Sequence, residues 1–344
     1  MKKKLLSILY KTNFFDLMRR LTPGALTVLN YHRVIDFKHP GFDMFKPNVS
    51  ATPDQFAEQM DYLLHYYNII STTDLLQWLR GEKNLPEHAA LITFDDGYFD
   101  NLLYAFPILR ARNLPATIFL TVDFIQTGNP FYWDQLAYAF YHSRRESVTL
   151  PELGQNSLDG ASQRELLLVG LVQRLKFLPE AQKRAMVQQV TDALDVDFGS
   201  MPRLSLTWDE IRSMQLNGIE FGSHTLSHPI LSRVPLEQAM VELAESRRIL
   251  EENLGRPVLA FAYPNGHRPD ITDEVAKLAS QSGYQCAFTL QPGPTRYSTV
   301  RKNPFLIRRV FISAKDNLNS FAAKLAGLPR LPYALRGSPS QTHY

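Results

Sequence analysis

Cysteine is nearly absent from this chain, since Cys286 is the only one among 344 residues. A single cysteine excludes an internal disulfide and a metal site built from several thiolates, and we interpret Cys286 as a small buried side chain. An excess of one charge is also missing, because 37 Lys and Arg residues are balanced by 34 Asp and Glu residues. The net charge of +3 is too small to indicate nucleic-acid binding.

Long hydrophobic runs are missing as well. No run approaches the roughly 18 apolar residues of a membrane-spanning helix. A secretory signal needs an unbroken apolar centre of about 7–15 residues, and Lys11, Asn13 and Asp16 interrupt the apolar residues near the N-terminus. We therefore predict no signal peptide, no transmembrane helix and a cytoplasmic location.

The N-terminal segment is instead basic and amphipathic. Its cations are Lys2, Lys3, Lys4, Lys11, Arg19 and Arg20. We predict a basic amphipathic helix over residues 1–24. Two interpretations stay open: the helix packs on the outside of the fold, or residues 1–20 attach the protein to the anionic inner face of a membrane.

Apolar, strand-like runs alternate with stretches of helical periodicity along most of the chain. We predict strands over residues 26–32, 68–70, 89–94, 116–122, 219–223, 258–262, 287–289 and 306–312, and helices over 53–64, 75–80, 103–112, 207–216, 235–254 and 271–282. This alternation predicts a parallel sheet covered by helices, either open or closed into a barrel. Right-handed crossovers bring the carboxyl ends of such strands to one rim, where barrel enzymes have their active sites.

Residues 127–200 interrupt the alternation with a Phe-Tyr-Trp-Asp motif and helical stretches at 163–178 and 180–194. We predict an insertion after the third strand, which forms either a lid over the site or a purely structural excursion.

Residues 316–344 are predicted to form a C-terminal tail. Beyond Leu328 we expect loose order, because this stretch contains prolines and shows no apolar periodicity.

Two short motifs carry most of the chemical information. Thr-Phe-Asp-Asp-Gly ends a predicted strand with Asp95 and Asp96, and His-Thr-Leu-Ser-His places His224 and His228 just after another. One carboxylate and two imidazoles form a ligand set for a divalent cation that leaves positions open for water and substrate. A second carboxylate beside them can act as a general base. The two motifs together predict a metal-dependent hydrolase.

The same motifs resemble those of the polysaccharide deacetylase family, also known as the NodB homology or carbohydrate esterase family 4 group. Further blocks are similar to members associated with exopolysaccharide and cell-wall sugars: residues 29–34, 131–134, 206–209 and 261–266. The resemblance extends over residues 25–315. It implies an α/β fold, a distorted barrel of about seven parallel strands, and metal-dependent removal of acetyl groups from sugars.

The resemblance also implies roles for individual residues. Asp95 corresponds to the general base, and the metal ligands correspond to Asp96, His224 and His228. The backbone N–H of Asn265, after Pro264, corresponds to the donor that stabilises the oxyanion. Zn²⁺ is the expected ion, with Co²⁺, Mn²⁺ and Ni²⁺ as alternatives, because this donor set accepts all of them.

The sequence departs from the family pattern at two positions. Where the family usually has an arginine that orients the base, this chain has Ala262. Arg308 or Arg309, in the predicted last strand, could supply that charge or could form a surface salt bridge instead.

The second departure concerns the late-chain histidine that protonates the leaving amine in the family. We expect His32, or failing that His267, to act as the acid. In an alternative, Asp95 returns the proton that it took. His32 could also be a hydrogen-bonding or sugar-binding side chain.

The expected substrate is a polysaccharide, oligosaccharide or lipid-linked glycan precursor with N-acetylated sugar units. Candidate substrate-binding residues are Tyr31, Trp133, Pro264 and Arg309, although either aromatic ring could instead be packed in the core. Three alternatives remain: a non-catalytic carbohydrate-binding barrel, a deformylase or other amidase acting on a sugar, and a scaffold at a membrane surface. The presence of both Asp95 and Asp96 argues against a role in binding alone.

Overall fold

The computed structural model of the protein describes residues 2–39, 41–150 and 154–328. Its helices are α1 (Lys2–Lys11), α2 (Phe14–Arg20), α3 (Pro53–Tyr66), α4 (Thr72–Leu79), α5 (Phe106–Ala111), α6 (Val122–Thr127), α7 (Tyr132–His142), α8 (Gly160–Leu175), α9 (Glu180–Leu194), α10 (Trp208–Leu216), α11 (Leu236–Leu254), α12 (Asp273–Gln281), α13 (Tyr297–Lys302) and α14 (Leu318–Leu325). Its strands are β1 (Ala25–Tyr31), β2 (Arg33–Val34), β3 (Val49–Ala51), β4 (Asn68–Ile69), β5 (Ala89–Asp96), β6 (Ala116–Leu120), β7 (Ser147–Leu150), β8 (Gly154–Ser157), β9 (Ile219–Ser223), β10 (Ala260–Ala262), β11 (Cys286–Phe288), β12 (Thr295–Arg296) and β13 (Val310–Phe311).

A curled sheet of mostly parallel strands forms the centre of the molecule. Its strands follow the order β11-β10-β9-β6-β5-β1-β12, and β13 also pairs with β1. Seven of these strands run parallel and build a distorted barrel: β1, β5, β6, β9, β10, β11 and β13. The predicted fold class is confirmed.

The last barrel strand is much shorter than predicted. Over residues 306–312 the sequence indicates one strand, but only Val310–Phe311 pairs with β1. Ile307 bridges instead to Phe288 of β11. Because this segment contacts both edges of the curled sheet in turn, it cannot stay in register with either one.

Hydrogen-bonding side chains fix several helix starts. Thr52, Ser71 and Thr207 each accept a backbone N–H three residues ahead and complete a capping box. Helix α4 begins at Thr72, three residues before the predicted start at residue 75, because the Ser71 side chain caps it there.

The predicted insertion lies between β6 and β9 and builds a core of its own. Helices α7, α8 and α9 and the β7–β8 hairpin bury a separate apolar cluster that includes Phe140, Leu175 and Val190. The insertion therefore packs beside the barrel as a unit with a hydrophobic core of its own.

The N-terminal segment forms two helices where one was predicted. Asn13 adopts a left-handed conformation with φ 54° and separates α1 from α2. Phe15 is buried, and Leu6 and Leu9 pack against the main core, as the packing interpretation requires. Other apolar side chains of this segment remain exposed, among them Leu5, Ile8, Leu17 and Leu21. Among the described helices, none has the length and apolar character needed to cross a membrane.

The predicted C-terminal tail is partly structured. Residues 318–325 form α14, whose start is capped by the Asn317 side chain and whose Phe321 is fully buried. The sequence analysis did not predict a helix within this tail, and α14 packs on the core through Phe321. The expectation for residues after Leu328 lies outside the described residues.

Candidate metal and catalytic site

The predicted site residues converge at the carboxyl ends of neighbouring parallel strands. Asp95 and Asp96 end β5, and His224 directly follows β9. Strand β6 lies between β5 and β9 and pairs with both in parallel. The order of the strands therefore brings these residues to one rim. Both aspartates are buried there, with only 1% of each residue exposed.

Three side chains form a cluster with the geometry of a metal site. Oδ1 of Asp96 lies 3.6 Å from Nε2 of His224 and 3.5 Å from Nε2 of His228. One ligand atom from each residue lies within 4.8 Å of the others. Asp96 Oδ1 is buried and has no hydrogen-bond partner in the described part of the chain. An unpaired buried carboxylate oxygen beside two imidazole nitrogens fits a divalent cation.

The protonation of His224 fits the same interpretation. Its Nδ1 lies 2.7 Å from the carbonyl oxygen of Ala262, and as the neutral donor to that oxygen it leaves Nε2 free as a ligand atom. Burial lowers the pKa of His224. Burial, followed by the charge of His224, lowers the pKa of His228 well below its usual range. Both rings are therefore neutral at pH 7, as ligation requires.

Asp96 shows why a cation would be favourable at this point. Burial raises its pKa well above the usual range, and the neighbouring charge of Asp95 raises it further. A divalent ion beside this carboxylate would stabilise the ionised form and reverse that shift.

The histidine loop is held in a backbone conformation that favours glycine. Thr225 and His228 have φ values of 70° and 66°, which are uncommon for residues with a β-carbon. The Glu242 carboxylate of α11 accepts the backbone N–H groups of Leu226 and Ser227, each at 2.9 Å. Glu242 thus supports the loop that carries the histidines, and the sequence analysis did not predict this role. The one feature of the sequence that indicates it is a carboxylate on the buried face of an amphipathic helix.

Asp95 is bound from two sides. Nη1 and Nη2 of Arg309 donate to its two oxygens at 2.6 and 2.8 Å, and Asn30 Nδ2 donates to Oδ2 at 2.8 Å. Burial by itself would raise the pKa of Asp95, but the charge and hydrogen bonds of Arg309 outweigh it and lower that pKa well below its usual range. The carboxylate is therefore ionised and fixed in orientation.

Arg309 is the arginine that takes up the orienting position, whereas Arg308 does not contact Asp95. The expectation that Arg309 binds substrate is wrong, because the side chain is 0% exposed and both terminal nitrogens contact Asp95. Sequence alone left the two arginines undecided, since the choice depends on which one points into the barrel. Asn30 was not predicted at all.

His32 lies at the end of β1, near Asp95 and His224. Its Nδ1 is buried and lacks a partner within the described residues. Burial lowers the pKa of His32 to about 4, although the charge of Asp95 acts in the opposite direction. His267 lies further along the rim, where burial and the charge of Lys176 lower its pKa.

Asn265 lies in the loop after β10 with φ 61°. Asparagine is one of the few residues with a β-carbon that adopt this conformation readily. Pro264 before it is buried. The N–H of Asn265 donates to no acceptor within the described chain, so this donor is available to a ligand.

The two predicted aromatic contacts have different outcomes. Tyr31 is fully buried, donates its hydroxyl to Gln59 at 2.8 Å and stacks on Phe94. A sugar contact for Tyr31 is therefore wrong, because the ring is inside the core. Trp133 lies at the site, with its ring centroid 5.3 Å from that of His228.

A buried polar network positions Trp133 and was not predicted. Trp133 Nε1 donates to the Tyr98 hydroxyl at 2.8 Å, and that hydroxyl donates to Asp134 Oδ2 at 2.7 Å. Arg33 forms an ion pair with Asp100 at 2.7 Å and lies 3.8 Å from Asp134. The network joins Trp133 and Asp134 of α7, in the insertion, to Tyr98, Arg33 and Asp100 of the barrel.

Comparison with known proteins agrees with this geometry. The family model described as polysaccharide deacetylase matches residues 82–287, more than half of the chain. The chain therefore belongs to the polysaccharide deacetylase family, whose carbohydrate esterase family 4 members are metal-dependent.

Individual relatives are distant. YxkH of Bacillus subtilis (strain 168) is 20% identical over 307 residues, which cover 89% of this chain and 78% of that protein. The poly-beta-1,6-N-acetyl-D-glucosamine N-deacetylase of Staphylococcus epidermidis is 25% identical over 218 residues, 58% of this chain and 72% of the relative.

Among solved structures, Streptococcus pyogenes deacetylase PplD in complex with acetate superposes with a TM-score of 0.58 at 16% identity. The alignment covers 88% of this chain and 99% of that chain. At this identity the match supports the fold alone.

Proposed function

We propose that the protein is a metal-dependent deacetylase that removes acetyl groups from N-acetylhexosamine units of a glycan. The observation that carries the proposal is the ionised, doubly bound Asp95 directly beside the Asp96, His224 and His228 cluster. A carbohydrate-binding protein would need no fixed base next to metal ligands. The poly-N-acetylglucosamine deacetylase among the relatives supports the same substrate class.

The three ligands would hold one divalent ion, with Zn²⁺ expected and Co²⁺, Mn²⁺ or Ni²⁺ as alternatives. Such an ion, when bound, polarises the acetyl carbonyl and acidifies a water molecule. Asp95 takes the proton of the attacking water, and Arg309 and Asn30 keep its carboxylate aimed during that transfer. The free N–H of Asn265 stabilises the negative charge that develops on the acetyl oxygen, while Trp133 contacts the sugar.

The leaving nitrogen must gain a proton for the amide bond to break. His32 is the candidate donor, because its ring lies near Asp95 and has an unpartnered nitrogen. With a pKa of about 4 the ring is neutral at pH 7, so it must gain a proton before it donates one. That property favours the alternative in which Asp95 returns the proton it took.

Replacing His32 with Gln separates the two routes. If His32 is the donor, turnover falls by roughly 100-fold or more, as expected for loss of a general acid, while Zn²⁺ affinity is unchanged. Turnover near that of the wild type would assign the proton to Asp95. Calorimetric Zn²⁺ titration on the same variant checks that the metal site is intact.

The proposed activity itself is tested by acetate release from N-acetylglucosamine oligosaccharides. We expect the zinc-loaded wild type to release acetate and Asp95→Asn to be inactive, because asparagine keeps the shape of the base but cannot accept the proton. Asp209→Asn is the matched control, since this aspartate is exposed and, among the described residues, forms an ion pair with Arg212 alone. Equal acetate release by the wild type and Asp95→Asn would contradict the proposal.

We further propose that the N-terminal helices contact an anionic membrane surface, with the protein in the cytoplasm. Leu5, Ile8, Leu17 and Leu21 are exposed on a segment that also exposes Lys4, Lys11 and Arg20, and this combination is typical of interfacial helices. Replacing Leu5 and Ile8 with Gln should abolish co-sedimentation with phosphatidylglycerol vesicles. Unchanged co-sedimentation, or none by the wild type, would contradict this contact.

A further inference from the structure

A cleft lies between the insertion and the barrel, close to the candidate site. Its volume is about 810 Å³, which is typical of ligand-binding pockets, and such pockets often form where two packing units meet. The insertion provides one wall, and residues 201–204, which lead towards α10, provide the other. We call it the insertion cleft and define it by the lining residues Asn129, Gln135, Gln188, Asp192, Phe198 and Arg203.

Two connections place the insertion cleft beside the metal-ligand cluster. Pro130 lines the cleft, and the ring of the next residue, Phe131, has its centroid 5.4 Å from that of His228. On the opposite wall, the carbonyl oxygen of Leu204 accepts the backbone N–H of Phe99 at 2.6 Å. Phe99 lies shortly after β5, the strand that ends with the candidate base and a metal ligand. Both walls of the cleft are therefore attached to segments that build the site.

Most of the charge that lines the insertion cleft is already neutralised by ion pairs. Both terminal nitrogens of Arg203 donate to Glu210 at 2.8 Å, and Asp195 accepts from Arg145 at 2.9 Å. The third charged lining residue is Asp192, which has no ion-pair partner within the described residues. The lining therefore offers no unpaired cation to a nucleic acid or another anionic ligand, and it suits a neutral one.

The rest of the lining combines neutral hydrogen-bonding groups with apolar surface. The Asn129 side chain has no hydrogen-bond partner within the described residues, and the amide oxygens of Gln135 and Gln188 accept no hydrogen bond there. Phe198 and Met201 add partly exposed apolar surface. Amides form hydrogen bonds with hydroxyl groups, and an aromatic ring packs well against CH groups. Because a sugar ring carries hydroxyls at its edge and CH groups on its faces, this lining matches an uncharged sugar.

We propose that the insertion cleft binds neutral sugar units of the glycan that neighbour the unit being deacetylated. The inference rests on the proposed deacetylase function and narrows its substrate to a chain long enough to extend from the metal-ligand cluster into the cleft. The amides of Asn129, Gln135 and Gln188 form hydrogen bonds with sugar hydroxyls, and Phe198 packs on a ring face. A single N-acetylhexosamine would leave the cleft unfilled.

The test compares the disaccharide, tetrasaccharide and hexasaccharide of N-acetylglucosamine as substrates of the zinc-loaded protein. We expect kcat/KM of the wild type to rise at least about tenfold from the disaccharide to the hexasaccharide, because the longer chain adds several hydrogen bonds. The gain should appear in KM, since these contacts are the same before and during the reaction. Equal kcat/KM values for all three substrates would overturn the proposal.

Variants assign that preference to the insertion cleft. Gln188→Ala and Asn129→Ala should each lower the ratio of kcat/KM for the hexasaccharide to that for the disaccharide by about 3–10-fold. A general structural defect would change both rates alike and leave the ratio as it was. Gln189→Ala is the matched control, because Gln189 is the exposed neighbour on α9 and does not line the cleft. The wild-type ratio in both cleft variants, or an equal decrease in Gln189→Ala, would overturn the proposal.

A binding measurement distinguishes failure of this inference from failure of the proposed function. If no oligosaccharide loses acetate, the proposed function fails, and calorimetric titration with the disaccharide and the hexasaccharide decides the role of the insertion cleft. Tighter binding of the hexasaccharide by the wild type, weakened in Gln188→Ala but not in Gln189→Ala, upholds the cleft as a sugar site. Equal affinities for the two ligands, or hexasaccharide binding that is unchanged in Gln188→Ala, overturn it.

Discussion

Arg309 and Asp95 meet deep inside the barrel, where a two-point contact between a guanidinium and a carboxylate fixes both partners. The arginine is 0% exposed and the aspartate 1% exposed. A buried carboxylate without a partner is strongly destabilising. This one contact therefore keeps the candidate base ionised, keeps it oriented and ties the final segment to β5.

We expect Arg309→Lys to lower kcat by roughly 10–100-fold with little change in KM, because one ammonium cannot hold both oxygens of Asp95. Arg309→Met should also lower the free energy of unfolding by about 3–5 kcal/mol, since it leaves a buried charge unpaired. Steady-state kinetics and urea unfolding measure the two effects. Arg110→Lys, on the exposed face of α5, serves as the control; an unchanged kcat in Arg309→Lys would contradict the orienting role.

Among individual residues, the sequence predicted the site residues that lie close together in short motifs. Asp95, Asp96, His224 and His228 could be found because short spacings at strand ends bring them to one rim. Burial was harder to predict: Tyr31 looks like a rim aromatic but points into the core, since the strand's alternation decides its side. Glu242 lies too far along the chain from the loop it supports for any local pattern to connect them.

The strands and the loops that follow them carry the site, and close packing between neighbouring strands fixes their positions. Gly222, two residues before His224, illustrates this constraint. A β-carbon there would lie 2.5 Å from the Phe119 ring and 2.9 Å from the carbonyl oxygen of Ala260. Only glycine allows β9 to pass this closely between its two neighbours.

We expect Gly222→Ala to lower the free energy of unfolding by about 1–3 kcal/mol, as overpacking does, and to weaken Zn²⁺ binding by displacing His224. Gly170→Ala is the matched control, because a β-carbon at that helical position meets nothing within 4 Å. It should stabilise the protein by about 0.5–1 kcal/mol. Chemical denaturation of both variants gives the comparison, and equal effects would contradict the packing argument.

The network beneath Trp133 predicts a pH-dependent stability for α7. Burial raises the pKa of Asp134 to about 6, despite the opposing charge of Arg33. The unfolded chain ionises this group near its ordinary pKa of about 3.9. Between pH 4 and pH 6 Asp134 is protonated in the folded state but ionised in the unfolded chain. Its contribution to the free energy of unfolding is therefore fully present below pH 4 and is lost as the pH rises through 6.

Asp134→Asn removes this titration. From pH 4 to pH 7 the wild type should lose on the order of 2 kcal/mol of unfolding free energy relative to Asp134→Asn. Urea unfolding of both proteins without metal, at several pH values, measures the difference. Parallel curves for the two proteins would show that Asp134 ionises alike in both states.

Element boundaries could be predicted where the cause was local. Capping residues such as Thr52 and Thr207 are visible in the sequence, and their helices begin where predicted to within one residue. The segment 306–312 could not be predicted, because its pairing depends on two strands, β1 and β11, that approach each other only in the folded sheet. The break at Asn13 was likewise invisible in a pattern that remains amphipathic throughout.

At the scale of the whole molecule, the alternation of strands and helices determines where chemistry can occur. Parallel strands place their carboxyl ends on one rim, and the motifs at the ends of β5 and β9 meet there. The insertion supplies Trp133 at the edge of this rim, beside His228. The overall architecture could be predicted because both periodicity and motif order indicate it, whereas the placement of the insertion depends on contacts between two separate cores.

The central claim is that one divalent ion, held by Asp96, His224 and His228, works with Asp95 to hydrolyse an acetylated sugar. The most direct test is acetate release measured as Zn²⁺ is added back to chelator-treated protein. The account predicts that activity rises linearly to one equivalent and then stays constant, and that His228→Gln never recovers it. Full activity after chelation, or the same recovery in His228→Gln as in the wild type, would contradict the account.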